Sequence, residues 1–175
     1  MLYKFDGKQP LVGANAYIAP SAIVIGDVEI GDNCYIGHGA IIRGDYGRIE
    51  IATGTAVEEA VLIHAPPKAI YLIGSRVTIG HGAICHGRQI GNEAVIGMGA
   101  ILSINSSVGT GTIIAEGSIV KANDNIPEKV VAAGNPAAII REVREKDIEL
   151  WNWGKQLYID LAKKYLDIGM EAIEL

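Results

Sequence analysis

Three of the four histidines in this sequence, His64, His81 and His86, lie in one short stretch between Ile63 and Ile90. Neutral imidazole is a good ligand for zinc and related divalent metals, and a site with three protein ligands keeps one position open for water. The chemistry these residue types suggest is metal binding, provided the chain brings three rings to one point. The bland reading of a surface histidine is a solvated side chain, and His38 is read that way. Two histidines stacked on adjacent turns of chain also suit a plain ladder. The element that carries them decides.

That element is a repeat. An aliphatic residue returns every six positions at Val12, Ile18, Val24, Ile30, Ile36 and Ile42. The pattern resumes at Ile51, Val57 and Ile63, then at Ile73, Ile79 and Cys85. It drops one residue and runs from Ile90 through Ile96, Leu102, Val108, Ile114 and Val120 to Ile126. A helix calls for a period of 3.6 and a half-buried strand for a period of 2. Six suits neither for long. It suits short strands joined by tight corners, with one aliphatic per strand pointing to the centre and small residues letting the chain bend. Three such strands make one coil of about 18 residues, and coils stack about 4.8 Å apart with parallel pairing. The inward positions amount to roughly six coils. Residues 1–11 form a lead-in of no evident type, and Ala65 to Leu72 is the one clear interruption.

Gly134, Asn135 and Pro136 mark a turn that ends the repeat. From about Val143 to Gly169 the period changes: Ile148, Trp151, Leu157, Leu161, Tyr165 and Ile168 recur at helical spacing. The expected organisation is mainly β, a parallel β-helix over residues 1–140 followed by one α-helix within 141–175. The helix packs on the β-helix or on a neighbouring subunit, with Trp151 and Trp153 as packing residues.

Composition narrows the function classes. The 175 residues suit one domain, and 22 glycines with a single Phe suit narrow, evenly packed strands. Two cysteines, Cys34 and Cys85, make no disulfide framework. A net charge of −5 without a basic cluster argues against nucleic acid or an anionic membrane as partner. No apolar run is long enough to span a bilayer, and the first residues show no apolar signal core, so a cytoplasmic protein is expected.

Counting the repeat locates the histidines. His64 follows the inward Ile63 by one place and His86 follows the inward Cys85 by one place. Their separation of 22 residues is one coil plus the four that the interruption adds. They therefore stack on adjacent coils with both rings outward. His81 follows Ile79 by two places and sits near the preceding corner. Five residues of extended chain reach up to about 16–18 Å, so His81 and His86 of one chain are awkward partners for one ion. A trimer with three equivalent interfaces solves this: His64 and His86 of one subunit meet His81 of the next.

The repeat over residues 10 to 140 resembles the hexapeptide-repeat family, which implies a left-handed β-helix. Within it, five phrases are similar to the γ-class carbonic anhydrases. They are Arg-Gly-Asp at Arg43 to Asp45, Val-Leu-Ile-His ending at His64, Ile-Gly-His-Gly-Ala from Ile79, Cys-His-Gly from Cys85, and Ile-Gly-Met-Gly-Ala from Ile96. The resemblance implies a homotrimer with three interfacial metal ions, each held by His64, His86 and the His81 of a neighbour. The implied reaction is hydration of carbon dioxide to bicarbonate by hydroxide, which the metal makes available at neutral pH. Zinc is the default, and iron(II) or cobalt also accept imidazole. Arg43 and Asp45 match a pair beside the family's metal; they are read as a structural ion pair or as direct help with bicarbonate or the proton. Glu58 stands where the family has a glutamine that orients the reacting water, and Ala56 replaces an asparagine. A carboxylate only accepts hydrogen bonds, so Glu58 is read as a general base or proton relay, as an unproductive holder of water, or as a metal contact. Tyr158 resembles a tyrosine that approaches the site in relatives. Two alternatives remain: a coenzyme A-dependent acyltransferase of the same superfamily, and a trimeric metal-binding scaffold without efficient catalysis.

Overall fold

The computed structural model describes residues 1–173; residues 174 and 175 of the expected C-terminal segment lie outside them. The chain coils as a three-sided parallel β-helix. One face carries Ile41–Ile51, Leu62–His64, Ile84–Cys85, Ile101–Leu102 and Ile119–Val120. A second continues from the long strands Ile23–Ile30 and Ile41–Ile51 through Ile70–Ile73, Gln89–Ile90, Ser107–Val108 and Asn125–Ile126. The third stacks Tyr17–Ile18, Tyr35–Ile36, Ala56–Val57, Thr78–Ile79, Val95–Ile96, Ile113–Ile114 and Val130–Gly134. That face has seven rungs, one more than the repeat suggested, because the chain past Ile126 supplies a further parallel strand. The lead-in also joins the sheet: Leu2–Tyr3 and Leu11–Val12 pair with Ile23–Ile30.

The aliphatics of the repeat are buried from Val24 to Ile126, while Val12 and Ile18 at the open end are not. Burying a large aliphatic side chain contributes about 1.5–3 kcal/mol, so this column is the main source of stability. Burial pushes the thiol of Cys85, which stands in the column, up to about 12. Cys34 is buried as well.

The repeat is irregular at a second place, where Ile42 and Ile51 stand nine residues apart instead of six. The register between Ile23–Ile30 and Ile41–Ile51 shifts after Gly26, so that Val28 pairs with Ile49. The extra residues lie between Gly44 and Ile49, one coil before the break at Ala65. The two irregularities stack: the Lys68 N–H donates to the Tyr46 carbonyl at 2.9 Å. The added wall length widens these coils, and the space is filled by a further inward column, Val28, Ile49 and Tyr71.

The chain leaves the β-helix through an antiparallel return of Ala137–Glu142 on Val130–Gly134, across a cis Asn135–Pro136 bond. Helix α1 follows, Glu145–Ile168. Asp147 accepts the Arg144 N–H in a capping box and pairs with Arg141 at 2.5 Å. These contacts, the Arg141 hydrogen bond first, hold the Asp147 carboxyl down at about 2. The face of α1 that docks differs from the expected stripe. Lys155 and Ala162 are buried, with Tyr158, Leu161 and Tyr165 packed around them, while Ile148, Leu157 and Ile168 stay exposed. Trp153 is 63% exposed in the single chain, and Trp151 is half-buried. The Lys155 ammonium fixes the helix by donating to the Glu93 carbonyl at 2.7 Å and its carboxylate at 3.0 Å. Among the described residues, no helix is long and apolar enough to cross a membrane.

Candidate metal centre on the two edges of one face

His64 ends the strand Leu62–His64 and sits beside Arg43, its register partner on the preceding coil. The pairing of Ile63 with Cys85 places His86 over His64. The two rings stack with centroids 4.8 Å apart and planes at 29°, as the count of the repeat predicted. His64 Nε2 lies 3.0 Å from Asp45 Oδ1, and Asp45 Oδ2 takes a hydrogen bond from Arg43 at 2.5 Å. Burial alone would raise the Asp45 carboxyl, but its bonds to Arg43 and His64, with their charges, outweigh this and hold it low. The His86 Nε2 is buried and has no hydrogen-bond partner among the described residues. Burial, and then the charges of His64 and Arg43, push the pKa of the His86 ring down.

The stacked irregularities explain this edge. A Cβ on Gly44 would lie 2.4 Å from the Asp27 carbonyl, and one on Gly47 would lie 2.3 Å from the Pro66 carbonyl. Only glycine lets the bulge and the break lie on one another with Asp45 turned toward His64.

His81 lies at the opposite edge of the same face, on the corner before Ile84–Cys85. It belongs to a corner column of His38, Glu59, His81 and Met98: the carbonyls of His38, Glu59 and His81 each accept an N–H from the corner residue one coil on. The chain there turns through the left-handed region, with φ of 58° at Ala60 and 68° at Gly82. His81 Nδ1 is 2.8 Å from Glu59 Oε2, and Nε2 is 3.1 Å from Glu58 Oε2. Glu58 Oε2 also accepts the His81 backbone N–H at 3.1 Å. Glu58 is only 5% exposed, and burial raises its carboxyl against the opposing effects of His81 and the Tyr158 hydroxyl beside it. Ala56 is buried on the third face, in the strand before Glu58. Tyr35 donates to Glu59 Oε1 at 2.7 Å. Tyr35 is held in a stack: Tyr17 rests on Tyr165 of α1 at 4.6 Å between centroids, and Tyr158 lies 5.1 Å from Tyr35. His38 is not merely solvated, since its Nδ1 meets the Ser21 hydroxyl at 2.9 Å and its ring meets Tyr165 edge-on.

Arg43, Asp45, His64 and His86 thus share one edge, and Glu58 and His81 share the other. Among the described residues no three metal-binding side chains converge within one chain. Sequence reasoning missed Glu59 and Tyr35. The signal for Glu59 was available, because it follows Val57 by the two places that separate His81 from Ile79.

Two family models match the chain. One is described as bacterial transferase hexapeptide (six repeats) and matches residues 10–44. The other, hexapeptide repeat of succinyl-transferase, matches residues 28–65 and 72–103. The chain is 36% identical to gamma carbonic anhydrase 2, mitochondrial, of Arabidopsis thaliana, over 97% of this chain and 63% of that one. It therefore spans under two thirds of that relative. It is 34% identical to the carnitine operon protein CaiE of Salmonella agona, over 91% of this chain and 81% of that one. A crystal structure of a hexapeptide transferase family protein from Anaplasma phagocytophilum superposes with a TM-score of 0.90 at 34% identity, covering 94% of this chain and 98% of that one.

Proposed function

We propose, from the premise that this chain belongs to the hexapeptide-repeat family as a γ-carbonic anhydrase-like member, that it forms a homotrimer with a metal ion at each interface and hydrates carbon dioxide. The observation that carries this reading is the orphaned, buried Nε2 of His86 stacked against His64. A buried polar atom without a partner costs about 1–3 kcal/mol, so the site asks for a ligand. A set of imidazoles without a thiolate fits zinc, and fits iron(II) or cobalt as well.

The third ligand in this reading is the His81 of a neighbour. The surface between the two edges supports that assembly. Ile23, Ile41, Leu62, Ile84, Ile101 and Ile119 stand in register as an outward aliphatic stripe. Leu62 is 38% and Ile84 43% exposed in the single chain. A second copy on this stripe would bury it and bring the two kinds of edge together.

When bound, the ion supplies the Lewis acidity that makes hydroxide available near neutral pH. In the single chain Asp45 faces the His64 Nε2 at 3.0 Å, a nitrogen it would release to the ion. Arg43 neutralises Asp45 and would offer a positive charge to bicarbonate, and Glu58 is the carboxylate that would take a proton at Oε2. The Glu58→Gln variant is accordingly expected to lower the CO2 hydration rate by about 10²-fold. An unchanged rate removes Glu58 from the mechanism.

The test is one preparation, purified without oxygen, in which mass, metal per chain and CO2 hydration are measured with added zinc or iron. A mass of three 18.5 kDa chains with one ion per chain and hydration is expected. An intact trimer that keeps less than roughly a third of an ion per chain after reconstitution removes the metal reading. Full occupancy without hydration leaves a metal-stabilised scaffold. Coenzyme A-dependent acyl transfer by metal-free protein would favour the transferase reading that the names of several relatives suggest.

A further inference from the structure

We infer that Glu59, braced by Tyr35, is the positioning residue that fixes the His81 ring for ligation through Nε2; this rests on the metal-binding reading above. In the single chain both nitrogens of His81 face carboxylates, Nδ1 at Glu59 and Nε2 at Glu58. A metal takes one nitrogen only, so one carboxylate must release the ring and the other must hold it.

The surroundings say which. Glu58 keeps other company without the ring, the His81 backbone N–H at 3.1 Å and the Tyr158 hydroxyl beside it. Its contact to Nε2 is also the longer of the two, 3.1 Å against 2.8 Å. Glu59 is anchored from behind: Tyr35 donates to its second oxygen at 2.7 Å, and Tyr35 is itself buried and packed among Tyr17, Tyr158 and Tyr165. A carboxylate clamped at Oε1 and facing Nδ1 at Oε2 selects the tautomer with the proton on Nδ1, which leaves the Nε2 lone pair for a metal. Such outer partners of a ligating histidine are commonly worth 10–100-fold in metal affinity. Because Tyr158 and Tyr165 belong to α1, the same contacts couple helix docking to the metal ligand of the opposite edge.

The experiment measures cobalt(II) affinity by chelator competition, with the visible spectrum of the bound ion, solution mass and melting temperature, in full-length protein. Glu59→Ala should weaken binding by about 10–100-fold and alter the spectrum while the trimer persists. Glu59→Gln, which keeps an acceptor for Nδ1–H, should lose less, and Tyr35→Phe less again. His81→Ala should abolish the site. Unchanged affinity and spectrum in Glu59→Ala, with loss in His81→Ala, overturns this inference and leaves the metal reading standing. If Glu59→Ala does not fold, Tyr35→Phe decides: wild-type affinity and spectrum there overturn it too. A wild-type protein that binds no cobalt removes both.

Discussion

The histidine face and the helix-covered face of this β-helix are built on the same plan and end differently. Both have an inward column of aliphatics, interrupted only by Cys85 on the histidine face, and both turn mostly apolar residues outward. On one face the outward residues are Tyr17, Tyr35, Ala56, Thr78, Val95 and Ile113, and α1 lies over the upper rungs of this face. On the other they are Ile23, Ile41, Leu62, Ile84, Ile101 and Ile119, and the stripe stays open. The remaining face has charged outward residues in its upper coils, with Arg48 joining Asp27, Glu29 and Glu50. The inward column gives stability, and the outward columns distinguish the faces: one takes the chain's own helix, one meets water, and the open stripe is the one that the proposed trimer would cover.

The comparison breaks most sharply at Ile84. A charge there in Ile84→Glu would be buried unpaired in each interface of the proposed trimer, at a cost of several kcal/mol per ion. The variant should be monomeric at micromolar concentration and fail to hold metal, yet keep its melting behaviour as a single chain. A trimer by light scattering would show that this stripe is not the interface. On the covered face, Tyr165→Ala should act the other way. It removes the ring stacked on Tyr17 and should destabilise the fold by roughly 3 kcal/mol, in line with large-to-small losses of aromatic packing. The assembly should persist, which mass and thermal melts on one sample can check.

A smaller effect concerns the end of the helix. The Asp147 carboxyl titrates at about 2 in the folded chain, against about 3.9 in an unfolded one. A depressed carboxyl contributes stability that is complete above the unfolded value and is lost as pH falls through the folded one. The stability difference between wild type and Asp147→Asn should thus be constant from pH 7 to about 5 and vanish between roughly pH 4 and 2. A difference that persists at pH 2 would assign the effect to something other than this charge.

Much of the site was legible by counting. The six-residue period fixes where each residue stands on a coil, so the stack of His64 on His86 and the separation of His81 followed without coordinates. It also fixed which aliphatics point inward, because one side chain per short strand must fill the centre. The period was silent where a register shift is shared by two chain segments. Both breaks show in the sequence as gaps, ten residues from Ile63 to Ile73 and nine from Ile42 to Ile51, but where the second bulges, after Gly44, came only from its pairing with Ile23–Ile30.

Helical spacing from Val143 to Gly169 likewise determined that a helix forms there, and not which side it buries. That choice came from contacts far apart in sequence: Lys155 finds Glu93, and Tyr165 finds Tyr17. Helical periodicity describes a helix by itself, whereas the docked side depends on what the covered face offers. The same holds for His81. Its sequence neighbours gave its corner, but only tertiary structure brought Glu58 and Glu59 to the ring, with Tyr35 behind Glu59, since those partners come from other coils and their mutual distances are set by stacking.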